Sequence, residues 1–287
     1  MHAMRLYPQG ARGAVRRRLR FMLSCLWWHR SAGLWFRYIQ STPALQQHVD
    51  AFPFIAGKPM TKYMRRSWRV RDRLACIMGH YRLMLSSPAG YRALALCGSG
   101  GTIATIRGRS DACYELVLAC DAAQGREGEM VIELRKADRR VCCLCGSFSM
   151  VEERPVFMIG TMQGANGEDA KQFVREATKD LHQFRPRDVV IAAARTLASI
   201  FGAEILLAPD QKQHIHAGRR RACKIKADFN GLWTDLGGER GANGDFALPP
   251  EIHYRPAEAI ASKRRAETLR RYALKQQIAA DIHAALG

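Results

Sequence analysis

Apolar positions recur at helical spacing along roughly the first ninety residues, then at strand spacing over about the next seventy. Across 15–39 the set Leu19, Met22, Leu23, Leu26 and Trp27 follows the helical period, with Arg16, Arg17, Arg20 and Arg30 between them. Pro43 opens a second helical stretch that runs through Val49. Pro53, Gly57 and Pro59 make 51–66 read as an extended connection. Ser67 is placed to cap a helix reaching about Leu85, and Ser86-Ser87-Pro88 stops it.

Near Ala95 the period changes. Thr102–Arg107, 115–120, Met130–Lys136, 139–148 and 156–162 are short β-type runs separated by Gly-, Asp- and Gln-rich turns. The tight join at Ala137-Asp138 predicts a hairpin, so these strands form an antiparallel meander. A helix follows at 169–183, with Phe173, Val174, Ala177 and Leu181 on one face. Arg185-Pro186-Arg187 separates it from a second helix at 189–201, closed by Gly202. A short strand at 204–208, an aromatic stretch at 228–238 and a basic helix within 256–286 complete the chain. The order predicts a mixed α/β (α+β) fold, an antiparallel-rich sheet with flanking helices. A basic, mainly helical region at 1–94 precedes a mixed domain at 95–287.

Charge sharpens this picture. The net charge is +19, and residues 1–73 hold fifteen Lys/Arg against only Asp50 and Asp72. A polyanionic or acidic partner suits such a surface: anionic lipid headgroups, nucleic acid or an acidic protein. Trp27, Trp28 and Trp35 among arginines fit a membrane interface, or the packing of this face on the α/β core. Nucleic acid fits less well, because no recognition motif accompanies them. The longest apolar run, 21–28, is far short of a transmembrane span and makes a poor secretory signal. Nine unevenly spaced cysteines predict reduced thiols in a cytoplasmic setting. Cys142 and Cys145 form a C-x-x-C, but on a strand they point to opposite faces, so no metal site is expected there.

The candidate site lies where strand meets helix. Val156 to Met162 run into Gln163-Gly164-Ala165-Asn166-Gly167 and then into the helix. Small residues before a helix let backbone N–H groups approach a phosphate. His214 and His216 would share a face of an extended segment, without a third metal ligand in suitable spacing. Arg219-Arg220-Arg221, Lys224 and Lys226 make a local cationic patch.

Three stretches carry a resemblance. They are Gly160-Thr161-Met162-Gln163-Gly164 with Ala177-Thr178-Lys179-Asp180-Leu181-His182 after it, Asp228-Phe229-Asn230-Gly231-Leu232-Trp233-Thr234-Asp235-Leu236-Gly237-Gly238, and Ser262-Lys263-Arg264-Arg265-Ala266-Glu267 through Arg271-Tyr272-Ala273. With the basic N-terminal region they resemble the bacterial VirK/YbjX family over the whole length. That resemblance implies links to virulence, envelope phenotypes and tolerance of cationic antimicrobial peptides, without a defined molecular activity. It implies an accessory role, in the cytoplasm or peripheral to the inner membrane.

The order of elements also looks like the acyl-CoA N-acyltransferase arrangement, in which a Q/R-x-x-G-x-G/A loop binds the cofactor pyrophosphate. Gln163, Gly164, Ala165, Asn166 and Gly167 would then hold an acyl-CoA. Asn166 departs from that pattern, and Glu168 and Asp169 would repel an anion at the helix start. Glu133, Tyr254 and Tyr272 could act as acid or base, but nothing in their spacing selects them, so the catalytic residues stay open.

Overall fold

Alternation in the middle of the chain produces five long antiparallel strands, and a computed structural model shows how they are joined. It describes residues 14–217, 227–249 and 254–287. The strands are β1 (Thr102–Arg107), β2 (Cys113–Ala119), β3 (Met130–Lys136), β4 (Arg139–Val151), β5 (Arg154–Gly164), β6 (Ile205–Pro209), β7 (Glu239–Arg240) and β8 (Asp245–Leu248). They form one sheet in the order β1-β2-β3-β4-β5-β6-β8-β7. Every pairing is antiparallel except β5 with β6. The β3–β4 hairpin turns at Ala137, in the left-handed region at φ 50°. The β4–β5 hairpin turns through Glu152 and Glu153, at φ 48° and 64°, as a two-residue turn matched to strand twist requires. The predicted mixed α/β class with an antiparallel-rich sheet is therefore present.

Before the sheet come α1 (Ala14–Trp27), α2 (His29–Ser41), α3 (Pro43–Ala51), α4 (Val70–Met84) and α5 (Pro88–Ser99). After β5 come α6 (Ala170–Asp180) and α7 (Pro186–Ile200), then α8 (Phe229–Asp235) and α9 (Ser262–Leu286). The α4 helix packs on β4, α7 lies across β3 to β5, and α9 covers β1 and α7. One apolar core runs from Trp35 and Leu45 through Ile132 and Phe157 to Ile278 and Ile282.

Three elements differ from the sequence reading. The 51–66 connection contains a 3-10 helix, Pro53–Met60, with Ile55, Ala56 and Met60 buried. Pro53 and Pro59 hold φ values that a 3-10 turn accepts, and burial supplies the rest. Arg69, rather than Ser67, occupies the α4 N-cap; the Asp72 carboxylate accepts from the Arg69 backbone N–H at 2.8 Å. Ser86-Ser87-Pro88 ends α4 and also starts α5, since Ser87 Oγ accepts from Gly90 N at 3.2 Å and Pro88 needs no donor there.

On β4, Cys142 joins the main core, whereas Cys143 and Cys145 join Val131 in a separate small cluster. The C-x-x-C pair thus faces opposite sides of the sheet, as its spacing requires.

Candidate functional site

Among the described strands the one parallel pair, β5 with β6, is short. Val156, Phe157 and Met158 pair with Ile205, Leu206 and Leu207, after which β5 continues to Gly164 without β6. Arg65 spans the place where the strands part. Its Nη1 donates to Ile159 O at 2.9 Å, its Nη2 to Leu207 O at 3.2 Å, and its Nε to Asp245 Oδ1 at 2.7 Å. A planar guanidinium can satisfy both strand carbonyls and one carboxylate at once, which a lysine cannot. Arg65 is 2% exposed.

Beyond this bridge a second segment lies against β5. A Cβ at Gly160 would fall 1.7 Å from the Glu127 carbonyl oxygen, so the 124–128 segment can approach only a glycine. Glu127 then reaches two side chains: its Oε1 lies 3.2 Å from His216 Nε2, and its Oε2 accepts from Gln163 Nε2 at 3.4 Å. His214 Nδ1 accepts from His216 N at 3.2 Å, which leaves its proton on Nε2, 3.2 Å from Thr161 Oγ1. Its ring stacks on Phe229 at 5.0 Å. Burial, with His216 and Arg65 nearby, holds the His214 imidazole down at about 4, so it is neutral. These histidines belong to a hydrogen-bonded network, and among the described residues no group of three side chains is arranged to hold a metal ion.

The turn that the sequence singled out divides its roles. Gln163 is bonded to Glu127, and Gly164 ends β5 with open space where a side chain would be. Ala165, Asn166 and Gly167 form the loop into α6, with Gly167 at φ 109°. Asn166 O accepts from Arg139, and the same guanidinium grips Asp169 through both oxygens at 2.6 and 2.7 Å. Arg139 holds the Asp169 carboxyl below its usual range. Of the two acids expected to repel an anion at the start of α6, Asp169 is therefore already paired.

Gly164 opens onto a groove of about 550 Å³ between α6 and α8. Met162, Val174, Phe229 and Leu232 make it apolar, while Lys171, Arg175 and Lys179 stand along its α6 side. None of those three cations has a carboxylate within ion-pair distance among the described residues. A larger cleft of about 1290 Å³ lies between α7, α9 and the β6–β8 end of the sheet.

The other candidates are spoken for. Glu133 is buried between Arg135, at 2.6 Å, and Arg140, at 3.3 Å, a structural carboxylate rather than a free base. Tyr254 and Tyr272 stack edge to face at 4.7 Å, and Tyr272 Oη accepts from Arg255 N. Trp35 is fully buried with its Nε1–H on Ala56 O, whereas Trp27 is 82% exposed. Arg219, Arg220, Arg221, Lys224 and Lys226 lie outside the described residues. Glu127 and Arg65 escape a sequence reading because no local spacing marks them; their partners are 36 to 180 residues away.

Residues 11–284 match a family described as a protein of unknown function, DUF535. The chain belongs to the VirK/YbjX family. Among its relatives, the uncharacterized protein YbjX of Escherichia coli (strain K12) is 27% identical over 91% of this chain and 81% of its own length. A protein named membrane protein LapB, of Mannheimia haemolytica, is 25% identical over 78% of this chain and 96% of its own. An uncharacterized protein of Haemophilus influenzae is 28% identical over 61% of this chain and 58% of its own. The Gly160 motif of the VirK/YbjX resemblance has its physical reason in the Glu127 contact.

Proposed function

We propose that this protein is an accessory factor of the bacterial envelope that works on the surface of an anionic membrane. The observation that supports this reading is the outward face of α1. Val15, Leu19, Met22, Leu23, Leu26 and Trp27 are all more than half exposed at helical spacing, beside exposed Arg16, Arg17 and Arg20. Phe21 and Cys25 of this helix, with Trp28 just after it, pack inward on Ala32 and Met60. Of the three tryptophans, Trp35 packs into the core and Trp28 onto the Phe21 cluster, while Trp27 stays outside.

Apolar side chains would sit at headgroup depth, and each arginine near an anionic surface adds about 1 kcal/mol. Among the described residues no helix is long and apolar enough to cross a membrane, so α1 would lie on the bilayer. The name of the Mannheimia relative agrees with this placement. Virulence and antimicrobial-peptide phenotypes would follow from action at that surface, on its cytoplasmic side. The full chain is expected to sediment with phosphatidylcholine vesicles containing about 30% phosphatidylglycerol and not with neutral ones. Leu23→Glu with Trp27→Glu should weaken that binding at least about tenfold. Equal binding to both vesicle types would defeat the reading, and tighter binding to DNA than to vesicles would favour a nucleic-acid partner.

An acyl-CoA-dependent N-acyltransferase is the second reading, favoured by the strand order and by the parting of β5 from β6 after Met158, on the strand that leads to Gln163–Gly167. An acyl-CoA would supply an activated acyl group. The Glu127–His216 pair, with His216 partly exposed, would take the proton from the attacking amine. The amine nitrogen then bonds to the thioester carbonyl carbon, the C–S bond breaks, and the thiolate leaves. On this reading acyl-CoAs of graded chain length release thiol in the presence of an amine, and Glu127→Gln slows release about 100-fold. No release by the wild-type chain counts against it.

A further inference from the structure

The apolar groove and the large cleft are neighbours, and they share Arg185 and Arg187 at the start of α7. The groove is floored by Met162, Val174 and Leu232, and seven arginines and lysines against three carboxylates line the cleft. Five arginines and lysines and no carboxylate line the groove too, so the two differ in apolar surface rather than in the sign of their charge. Of the shared pair, Arg185 has no carboxylate within ion-pair distance among the described residues. Arg187 binds Asp235 through Nη2 at 3.2 Å, but its buried Nε–H, 3.5 Å from Asp188, meets no acceptor in hydrogen-bonding geometry. The buried Arg187 Nε–H is a costly unmet donor, and beside it the exposed Arg185 offers an unpaired charge to an anion. Next to it is an apolar space of the size that binds small ligands.

We propose that these two cavities form one site for an anionic amphiphile, with an acyl chain in the groove between α6 and α8 and a phosphate-bearing head on Arg185 and Arg187. The shared chemistry is a long alkyl chain ending in phosphate. A phospholipid or an acyl thioester of a phosphorylated carrier could supply it. The site does not depend on docking by α1, and it stands whether or not an acyl group is transferred.

The test is direct binding of the full, delipidated chain to monomeric ligands, read by calorimetry. Lysophosphatidic acids of graded chain length are one arm and acyl-CoAs of the same chains the other; the tighter arm identifies the source. Controls are a fatty alcohol, which has a chain without charge, and inorganic pyrophosphate, which has charge without a chain. Removing two methylenes should weaken binding about tenfold, as expected for a buried chain. Val174→Asp should abolish it.

Gly164→Asp adds a carboxylate at the groove mouth where nothing lies within 4 Å, so it tests the site even if Val174→Asp does not fold. It should weaken the phosphate amphiphiles at least about tenfold while leaving the melting temperature unchanged. Arg185→Gln with Arg187→Gln should reduce the preference for a phosphate over the neutral alcohol at least about tenfold. Binding that ignores chain length, or a wild-type chain that takes the alcohol as tightly as the phosphate, overturns the proposal. So does binding by neither arm. Loss of vesicle binding in α1 variants with amphiphile binding intact separates this site from membrane docking.

Discussion

Replacing Lys58 by methionine is expected to destabilise the fold by about 3–5 kcal/mol, the largest single-residue effect foreseen in this protein. The ammonium sits on the 3-10 helix, 4% exposed, with its Nζ 2.9 Å from Glu129 Oε2 and 3.0 Å from the Gly128 carbonyl. Tyr81 Oη donates to the same carboxylate oxygen at 2.6 Å, and the Phe54 ring lies beneath the ammonium at 5.1 Å. Burial pushes the Glu129 carboxyl up, but Lys58, His80 and the Tyr81 hydroxyl outweigh it and hold it below the usual range. Without Lys58 a fully buried carboxylate, whose Oε1 already lacks a partner, would keep one hydrogen bond and no counter-charge. Urea unfolding of Lys58→Met reads the loss, and the double variant Lys58→Met/Glu129→Gln should recover part of it. A loss under about 1 kcal/mol would mean that the pair is worth no more than a surface salt bridge.

The second large effect is acid lability. Burial holds the His80 imidazole down at about 3 and the His48 and His214 imidazoles at about 4, against about 6.5 for a free side chain. The folded chain keeps all three neutral through a range in which the unfolded chain binds protons. Stability is therefore complete above about pH 7 and falls as pH drops from about 6.5 towards 4. Glu129 acts in the same direction lower down, because its depressed carboxyl is lost as pH falls through its folded value. Each histidine contributes on the order of a few kcal/mol, enough together to rival the whole stability of an ordinary domain. Thermal melts should show a plateau above about pH 7 and a steep fall below about pH 6. A melting temperature that holds constant down to about pH 4.5 would show that these rings are protonated within the fold.

Much of the architecture is legible in local pattern, and the rest is not, for a definite reason. Thr102–Arg107 and Met130–Lys136 appear in the structure with the predicted ends, because alternation and turn chemistry both act within a few residues. The 3-10 helix at Pro53–Met60 was hidden because its prolines and glycine read as a connection, while the burial that shapes it comes from the helices around it, α1 to α4. The partition of the candidate turn shows the same limit. Sequence picks out Gln163 to Gly167, but Glu127, which claims Gln163, and Arg139, which claims Asp169, carry no local signal. The exposed stripe of α1 is the converse case. Its period is plain in sequence, yet period alone does not say whether a helix face turns inward or outward.

Arg65 has a consequence for how the protein is made. Its three partners lie 94, 142 and 180 residues further along the chain. At typical synthesis rates the Asp245 carboxylate emerges about 10–40 s after the guanidinium it receives. The segment around Arg65 cannot lock into place until β8 has appeared. During that interval the apolar face of α1 is already outside the ribosome. A membrane or a chaperone can therefore meet this protein before its own sheet is complete.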